Sequence, residues 1–215
     1  MALAFASVIL DVDSTLCGLE GIDWLAERRG ADVGKAVTVL TDRAMRGEIP
    51  LESVYGERLA LVRPGVSEIR ELTTAYIAAL APGAKWALGR LQDEGCRVVL
   101  VSGGLREAIL PVASLVGIPS RDVHAVSVML TGVDAYAGFE MDSPLATAGG
   151  KREVAARLGL PGRVLGVGDG ATDLAMRPAV DAFAAYVGFV RREAVVRGAD
   201  HVLTSFDQLL ELVLV

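Results

Sequence analysis

The sequence predicts an α/β protein with a doubly wound, mainly parallel sheet and a block of helices inserted after its first strand. Three observations support this fold class. An apolar strand lies at the start of the chain, helical periodicity follows it, and short apolar strands alternate with helices from Pro82 onward. The length of 215 residues suffices for one such domain with an insertion.

The first strand ends in two carboxylates, because the apolar run from Val8 stops at Asp11 and Asp13, which Ser14 and Thr15 follow. Side chains two residues apart on an extended chain point the same way, so both carboxylates can face one site. Their repulsion is relieved by a divalent cation, a raised pKa on one acid or a bound cationic group, and active sites use all three. On its own, the pattern also fits a turn or a helix cap.

Helical periodicity then continues to residue 81, with apolar residues three and four positions apart, and one of the predicted helices covers Leu51–Leu61. We therefore expect two domains. An α/β core comprises residues 1–16 and 82–215, and a helical segment that we call the cap comprises residues 17–81.

Within the core, three uninterrupted apolar runs predict buried parallel strands: Cys96–Val101, Arg163–Val167 and Ala182–Val187. The segment Pro119–Phe139 predicts a short β-rich excursion with a hairpin. Pro111 lies inside the predicted helix Leu105–Val116, which it should kink or restart.

Composition and charge argue against several functional classes. The net charge of −6 argues against a nucleic-acid-binding protein, which would show a basic surface. Hydrophobic content is 52%, but no uncharged apolar run reaches the roughly 18 residues of a membrane span. The apolar start lacks a basic leader and runs directly into Asp11, so we expect no secretory signal and a cytoplasmic protein. Cys17 and Cys96 lie outside any CxxC pattern, and His124 and His201 are isolated, which argues against a zinc site or a histidine-based triad.

Two further segments offer groups that suit a phosphate. The segment Ser102–Gly104 follows an apolar strand and provides a hydroxyl and backbone N–H groups, although a plain strand-to-helix turn uses the same residues. The segment Gly149–Lys151 precedes a helix predicted from Arg152 and places a cation beside unpaired N–H groups, with a surface lysine as the alternative. It is not a P-loop, because Arg152 stands where Ser or Thr must follow the lysine.

The segment Gly166–Asp173 follows another apolar strand and permits two interpretations. Its glycines satisfy a loose dinucleotide fingerprint, and Arg191–Arg192 lies where an arginine could bind a 2′-phosphate. However, Asp169 would place a bare carboxylate against the pyrophosphate, and Pro178 shortens the helix that should lead to the next strand. We favour Asp169 as a ligand of Mg²⁺, which prefers carboxylates and water.

The carboxyl ends of parallel strands open onto one crevice, so these polar groups should meet there. The crevice would hold two acids, a serine, a lysine and a metal-binding aspartate. Phosphoryl transfer through an aspartyl phosphate requires this set of groups.

Four segments resemble, in order and spacing, the four motifs of the haloacid dehalogenase superfamily: Asp11–Thr15, Ser102–Gly104, Lys151 and Gly168–Asp173. Within that superfamily the chain is similar to the phosphoserine phosphatases. Further matching stretches extend over nearly the whole chain: Glu20–Ala26, Thr41–Gly47, Glu57–Leu61, Tyr136–Phe139 and Gly149–Lys151. The chain departs from their pattern at Leu40, where Met is expected, and at Gly188–Val190, which replaces a more glycine-rich turn.

The resemblance implies Mg²⁺-dependent hydrolysis of O-phosphoserine to serine and phosphate, a reaction of serine biosynthesis. It implies that Asp11 is the nucleophile that forms an aspartyl phosphate. Asp13 would protonate the departing seryl oxygen and then activate the hydrolytic water. Mg²⁺ would be bound by Asp11, the backbone carbonyl of Asp13 and Asp169, with Asp173 supporting it through water.

The resemblance also assigns the substrate-binding residues of the core. Ser102 and Lys151 would hold the phosphoryl oxygens and neutralise charge in the transition state. Gly103, Gly104 and Thr172 would contact the substrate as well.

In the cap, the resemblance implies that Arg58 binds the carboxylate of phosphoserine and that Glu20 binds its ammonium group. For an arbitrary helical arginine, a solvated face or an ion pair is the alternative. The expected partner is a small phosphomonoester, with neither nucleic acid nor membrane, and both a monomer and a homodimer stay open.

Two other functions remain open at this point. A related phosphatase or phosphotransferase acting on another small phosphomonoester, such as phosphohomoserine, would use the same Asp11, Asp13, Lys151 and Asp169. A receiver-like phosphoacceptor module also groups acids, a hydroxyl and a lysine around Mg²⁺, but receivers lack a helical cap of this size.

Overall fold

The computed structural model describes residues 3–45, 49, 51–131 and 134–215, and a six-stranded parallel sheet forms its centre. The strands of this sheet are, in chain order, β1 (Ser7–Leu10), β2 (Arg97–Leu105), β3 (Val123–Val126), β6 (Val164–Gly168), β7 (Ala182–Tyr186) and β8 (His201–Leu203). They lie in the order β3-β2-β1-β6-β7-β8. Between β3 and β6 in the chain, a separate antiparallel hairpin consists of β4 (Val128–Thr131) and β5 (Ala135–Phe139). The predicted fold class is confirmed.

Helices connect and flank the strands. In the described part of the cap, the helices that follow β1 are α1 (Gly21–Arg28), α2 (Ala31–Met45), α3 (Leu51–Val62) and α4 (Val66–Ala78). The core helices are α5 (Ala84–Asp93), α6 (Arg106–Leu115), α7 (Gly150–Arg157), α8 (Ala171–Leu174), α9 (Glu193–Gly198) and α10 (Phe206–Val213). Within the described ranges, no helix combines the length and apolar character that a membrane crossing requires.

The central position of β1 determines where the site forms. Leu10 at its end pairs with Leu100 of β2 on one side and with Val167 of β6 on the other. Because all three strands are parallel, the residues that follow them leave the sheet at the same edge. The whole of β1 is buried, as expected for an apolar strand covered on both faces.

The segment Ser102–Gly104 differs from its predicted turn, because β2 continues through it to Leu105. The register shifts between Val101, which pairs with His124, and Leu105, which pairs with Val126. The segment is therefore an irregular bulge inside the strand. The strand resumes at Leu105, whose side chain is completely buried in the core.

Two helix predictions also need correction. Helix α6 runs from Arg106 to Leu115 across Pro111, so the helix does not restart there. Pro111 lies on the exposed face, and its missing N–H leaves the hydrogen bond to the first turn of the helix unmade. Helix α7 begins at Gly150 rather than Arg152, and a Cβ at Gly150 would overlap the carbonyl oxygen of Pro144.

The two ends of the cap meet next to the core, where Cys17 and Leu80 form an isolated antiparallel bridge. Among the described residues, several contacts join the cap to the β4–β5 hairpin. The ring of Tyr55 packs on Phe139 at 5.4 Å between centroids, and the guanidinium of Arg63 lies 5.7 Å from the ring centroid of Tyr136. The N–H and the hydroxyl of Ser67 both donate to the carboxylate of Asp134. The division into two domains stays a prediction.

Candidate active site

Three of the predicted residues, Asp11, Ser102 and Asp169, lie at the carboxyl edge of the sheet. Asp11 directly follows β1, Ser102 lies in the bulge of β2, and Asp169 directly follows β6. All three side chains are buried. The N–H of Asp11 donates to the carbonyl of Val167 at 3.0 Å, which fixes the start of the loop against β6.

Lys151 is the cation of this cluster. Its Nζ lies 2.6 Å from Oδ1 of Asp11 and 2.5 Å from Oδ1 of Asp173. Burial lowers the pKa of Lys151, but the two carboxylates outweigh it and hold the pKa above its ordinary value. The ammonium group is therefore charged at neutral pH, and the close approach of α7 at Gly150 brings it to the carboxylates.

Asp173 anchors that ammonium group. Its Oδ2 accepts a hydrogen bond from the N–H of Gly170 at 2.9 Å, while its Oδ1 faces Lys151. A Cβ at Gly168 would overlap the carboxyl group of Asp173, so the end of β6 requires glycine there. Thr172, the neighbour of Asp173, is half-buried in the first turn of α8.

Three carboxylates form a candidate metal centre. Asp11, Asp169 and Asp173 each offer an oxygen, and these oxygens lie within 4.8 Å of one another. Oδ1 of Asp169 also accepts a bond from the hydroxyl of Thr15 at 3.2 Å. A buried set of carboxylate oxygens is the donor chemistry that Mg²⁺ prefers, so these residues fit that ion.

Burial and the neighbouring charges also change the pKa of Asp11. Burial and then the charges of Asp173 and Asp13 raise the pKa of Asp11, whereas Lys151 lowers it. The pKa is raised overall, which places Asp11 in an environment that a further cation would stabilise.

Asp13 has a different set of contacts. Its Oδ1 accepts from the hydroxyl of Tyr76 at 2.5 Å and from the N–H of Gly21 at 3.1 Å. Burial, followed by the charge of Glu20, raises the pKa of Asp13 to about 7. A Cβ at Gly104 would lie 2.9 Å from Oδ2 of Asp13, so this oxygen borders the β2 bulge.

The bulge itself is held by side chains from both parts of the molecule. The hydroxyl oxygen of Ser102 accepts from the N–H of Gly104 at 3.0 Å. The hydroxyl of Tyr55, on cap helix α3, donates to the carbonyl of Gly103 at 2.8 Å. The cap therefore contacts the segment that the sequence predicts to bind phosphate.

The two predicted cap residues have different positions. Glu20 lies at the site, where its Oε1 accepts from the hydroxyl of Ser14 at 2.7 Å. Arg58 instead pairs with Asp23 of α1 at 2.9 Å between Nη2 and Oδ1. The Nε of Arg58 is buried and makes no hydrogen bond, so one donor of the guanidinium remains available.

The sequence analysis did not predict the roles of Tyr55, described above, or of Tyr76 and Arg192 at the site. Tyr76 is 63 positions from its partner Asp13, and nothing in the local pattern links them. Arg192 contacts Oδ2 of Asp169, and its Nη2 lies 3.7 Å from Oε1 of Glu20. The sequence indicated Arg192 only as a phosphate-binding arginine of the disfavoured dinucleotide interpretation.

The family model for haloacid dehalogenase-like hydrolases matches residues 5–181 of this chain. The chain belongs to this family. Phosphoserine phosphatase from Homo sapiens is 37% identical over 207 residues, which cover 95% of this chain and 91% of the human protein. The chloroplastic phosphoserine phosphatase from Arabidopsis thaliana is 38% identical over 210 residues, covering 95% of this chain and 70% of the plant protein.

A solved structure with a similar fold belongs to a protein described in related terms. The phosphoserine phosphohydrolase-like protein from Francisella tularensis superposes with a TM-score of 0.82 at 25% identity, covering 97% of this chain and 99% of that chain. The resemblance drawn from the four motifs is confirmed. This haloacid dehalogenase-like hydrolase is an enzyme with phosphatase activity, which disfavours the receiver-like alternative.

Proposed function

We propose that this hydrolase converts O-phosphoserine to serine and phosphate, with Mg²⁺, through an aspartyl phosphate on Asp11. The observation that carries the proposal is the contrast between two neighbouring acids at one sheet edge. Asp11 lies against the ammonium of Lys151, whereas Asp13 lies against a phenol and a backbone N–H. The relatives named phosphoserine phosphatase supply the substrate class.

In the first step, a carboxylate oxygen of Asp11 forms a bond to phosphorus while the bond between phosphorus and the seryl oxygen breaks. Asp13 gives its proton to that oxygen, so serine leaves as a neutral alcohol. A pKa of about 7 keeps a substantial share of Asp13 protonated at neutral pH, as a general acid requires.

In the second step, Asp13 takes a proton from water, and the water oxygen forms a bond to phosphorus. The bond from phosphorus to Asp11 breaks, which releases phosphate and restores both the carboxylate of Asp11 and the proton on Asp13. Lys151 and Ser102 hold the phosphoryl oxygens during both steps.

Asp11, Asp169 and the backbone carbonyl of Asp13 would hold Mg²⁺, with Asp173 at the edge of the centre. The ion would neutralise charge on the phosphoryl group. Asp173 has both oxygens engaged, by Lys151 and by Gly170, which supports an indirect role for it.

The cap would select phosphoserine by the two charged groups of its serine part. The unpaired Nε of Arg58 is available to the carboxylate, and Glu20 is available to the ammonium. The roles of the other predicted binding residues, Gly103, Gly104 and Thr172, belong to the same proposal. So do a cytoplasmic location and a place in serine biosynthesis.

The test is phosphate release from phosphoserine, phosphohomoserine and phosphoethanolamine, with Mg²⁺ and with EDTA. We expect Mg²⁺-dependent turnover with the highest kcat/KM on phosphoserine. Asp11→Asn should lower kcat by at least about a thousandfold, because the amide keeps the shape but loses nucleophilicity. A higher kcat/KM on phosphohomoserine than on phosphoserine would show that phosphohomoserine is the better substrate and overturn the substrate assignment. Undiminished turnover in EDTA would show that the reaction needs no Mg²⁺.

A further inference from the structure

We propose that Tyr76 is a positioning residue, which holds Asp13 so that Oδ2 is the oxygen that exchanges the proton with substrate and water. The inference rests on the proposed function, in which Asp13 is the acid and the base. It adds a residue from the cap to the catalytic apparatus of the core.

The hydrogen bonds around Asp13 differ between its two oxygens. Oδ1 accepts from the phenol of Tyr76 at 2.5 Å and from the N–H of Gly21 at 3.1 Å. A backbone N–H is an obligatory donor, so Oδ1 acts as an acceptor and the proton of the acid belongs on Oδ2. Oδ2 borders Gly104, in the bulge that also holds Ser102.

Tyr76 is itself held firmly. It lies on α4 of the cap and is completely buried. A Cβ at Gly21 would overlap its hydroxyl, so glycine at the start of α1 makes room for the contact. The phenol therefore connects two cap helices to the acid that follows β1.

Without the phenol, the carboxyl group of Asp13 loses one of its two restraints and can rotate. Proton transfer to the leaving group then becomes less efficient, since general acid catalysis depends on the position of the donor. A seryl alkoxide is a poor leaving group that needs the proton. A 4-nitrophenolate leaves without it, so the two substrates report on proton transfer separately.

The experiment compares kcat and KM on phosphoserine and on 4-nitrophenyl phosphate. For Tyr76→Phe we expect kcat on phosphoserine to fall about tenfold or more, with KM nearly unchanged and kcat on the aryl ester nearly unchanged. Gly21→Ala should show the same pattern, because its methyl group displaces the hydroxyl without removing the tyrosine. Thermal unfolding checks that each variant is folded.

Two controls separate the possible results. Tyr55→Phe removes another buried cap phenol, one that bonds Gly103 rather than Asp13, and it should change both substrates equally. Asp13→Asn should show a larger version of the Tyr76→Phe pattern.

Two results would contradict the proposal. If Asp13→Asn lowers kcat on phosphoserine more than on the aryl ester but neither Tyr76→Phe nor Gly21→Ala does, the role of Tyr76 is wrong and the proposed function stands. If Asp13→Asn affects both substrates equally, the proposed acid is wrong and the role of Tyr76 is lost with it.

Discussion

Two carboxylates separated by one residue have different chemical surroundings in this enzyme. Asp11 faces an ammonium group, and Asp13 accepts from a phenol and an amide. Burial raises the pKa of Asp11, but the ammonium of Lys151 opposes this effect and supports the charged carboxylate that a nucleophile needs. Burial and the charge of Glu20 raise the pKa of Asp13 to about 7, which leaves part of it protonated, as a general acid needs. The distinction depends on three neighbours from other elements, because the two acids share one loop.

At the same scale, Arg192 and Mg²⁺ should compete for Asp169, since both are cations and the guanidinium contacts Oδ2. We expect Arg192→Gln to bind Mg²⁺ more tightly than the wild type. Asp169→Asn should bind it roughly tenfold to a hundredfold more weakly, because one anionic ligand is lost. Isothermal titration calorimetry with Mg²⁺ alone measures both. Weaker binding by Arg192→Gln would show that the arginine supports the metal centre.

At the scale of elements, strand ends and the first turns of helices supply most of the site. The bulge in β2 carries Ser102, and the close approach of α7 to Pro144 carries Lys151 inward. Gly150 permits the approach of α7 to Pro144, and Gly168 permits the approach of the Asp173 carboxyl group to β6, because neither position has room for a Cβ. Backbone geometry therefore sets the distances between the charged groups.

Asp200 provides an element-scale test away from the site. It links β7 to the start of β8, since Oδ2 accepts from the N–H of Phe183 at 2.8 Å and the N–H of Asp200 donates to the carbonyl of Phe183 at 2.8 Å. Burial raises the pKa of Asp200, but the bonds from Phe183 and Arg177 outweigh it and lower the pKa overall.

A lowered pKa means that the folded state favours the charged carboxylate of Asp200. Its contribution to the free energy of unfolding is therefore fully present above the ordinary Asp pKa of about 4, and it is lost as the pH falls through the pKa of the folded state. Asp200→Asn should therefore cost about 1 kcal/mol at pH 7 and less at pH 3. Urea unfolding at both pH values measures the difference. A constant difference would contradict this account.

At the scale of the whole molecule, the site lies where the cap meets the core. Tyr55 and Tyr76 reach from cap helices to Gly103 and Asp13. The proposed serine-binding groups, Arg58 and Glu20, also belong to the cap. Selectivity for the serine part should thus be separable from the phosphoryl chemistry of the core.

We expect Arg58→Ala to lower kcat/KM for phosphoserine by roughly ten- to a hundredfold, since a charge-assisted hydrogen bond is worth about 1.5 to 3 kcal/mol. Phosphoethanolamine, which has no carboxylate, should change little. Asp23→Asn is the matched control, because it breaks the ion pair with Arg58 but keeps the guanidinium.

Glu20→Gln should lower kcat/KM for phosphoserine more than for 3-phosphoglycerate, because 3-phosphoglycerate has no ammonium group. Equal losses on every substrate would assign Arg58 and Glu20 to the packing of the cap.

The sequence by itself determined the parallel sheet and the positions of Asp11, Ser102 and Asp169 at its carboxyl edge. Each of these residues directly follows or continues an apolar strand, and parallel strands end at one edge. The same local patterns predicted Lys151 directly before a helix, whereas the structure places it inside the first turn of α7. Their roles in catalysis remain proposals, but their proximity follows from strand order.

Only the tertiary structure decided the pairings between distant elements. Tyr76 meets Asp13 across 63 positions, Arg58 meets Asp23 across 35, and Arg192 meets Asp169 from the loop after β7. Local periodicity identifies which face of a helix is buried but not which residue of another element that face meets. Those partners depend on how the cap helices pack against each other and on the core, and that packing is decided by the combined burial of many side chains.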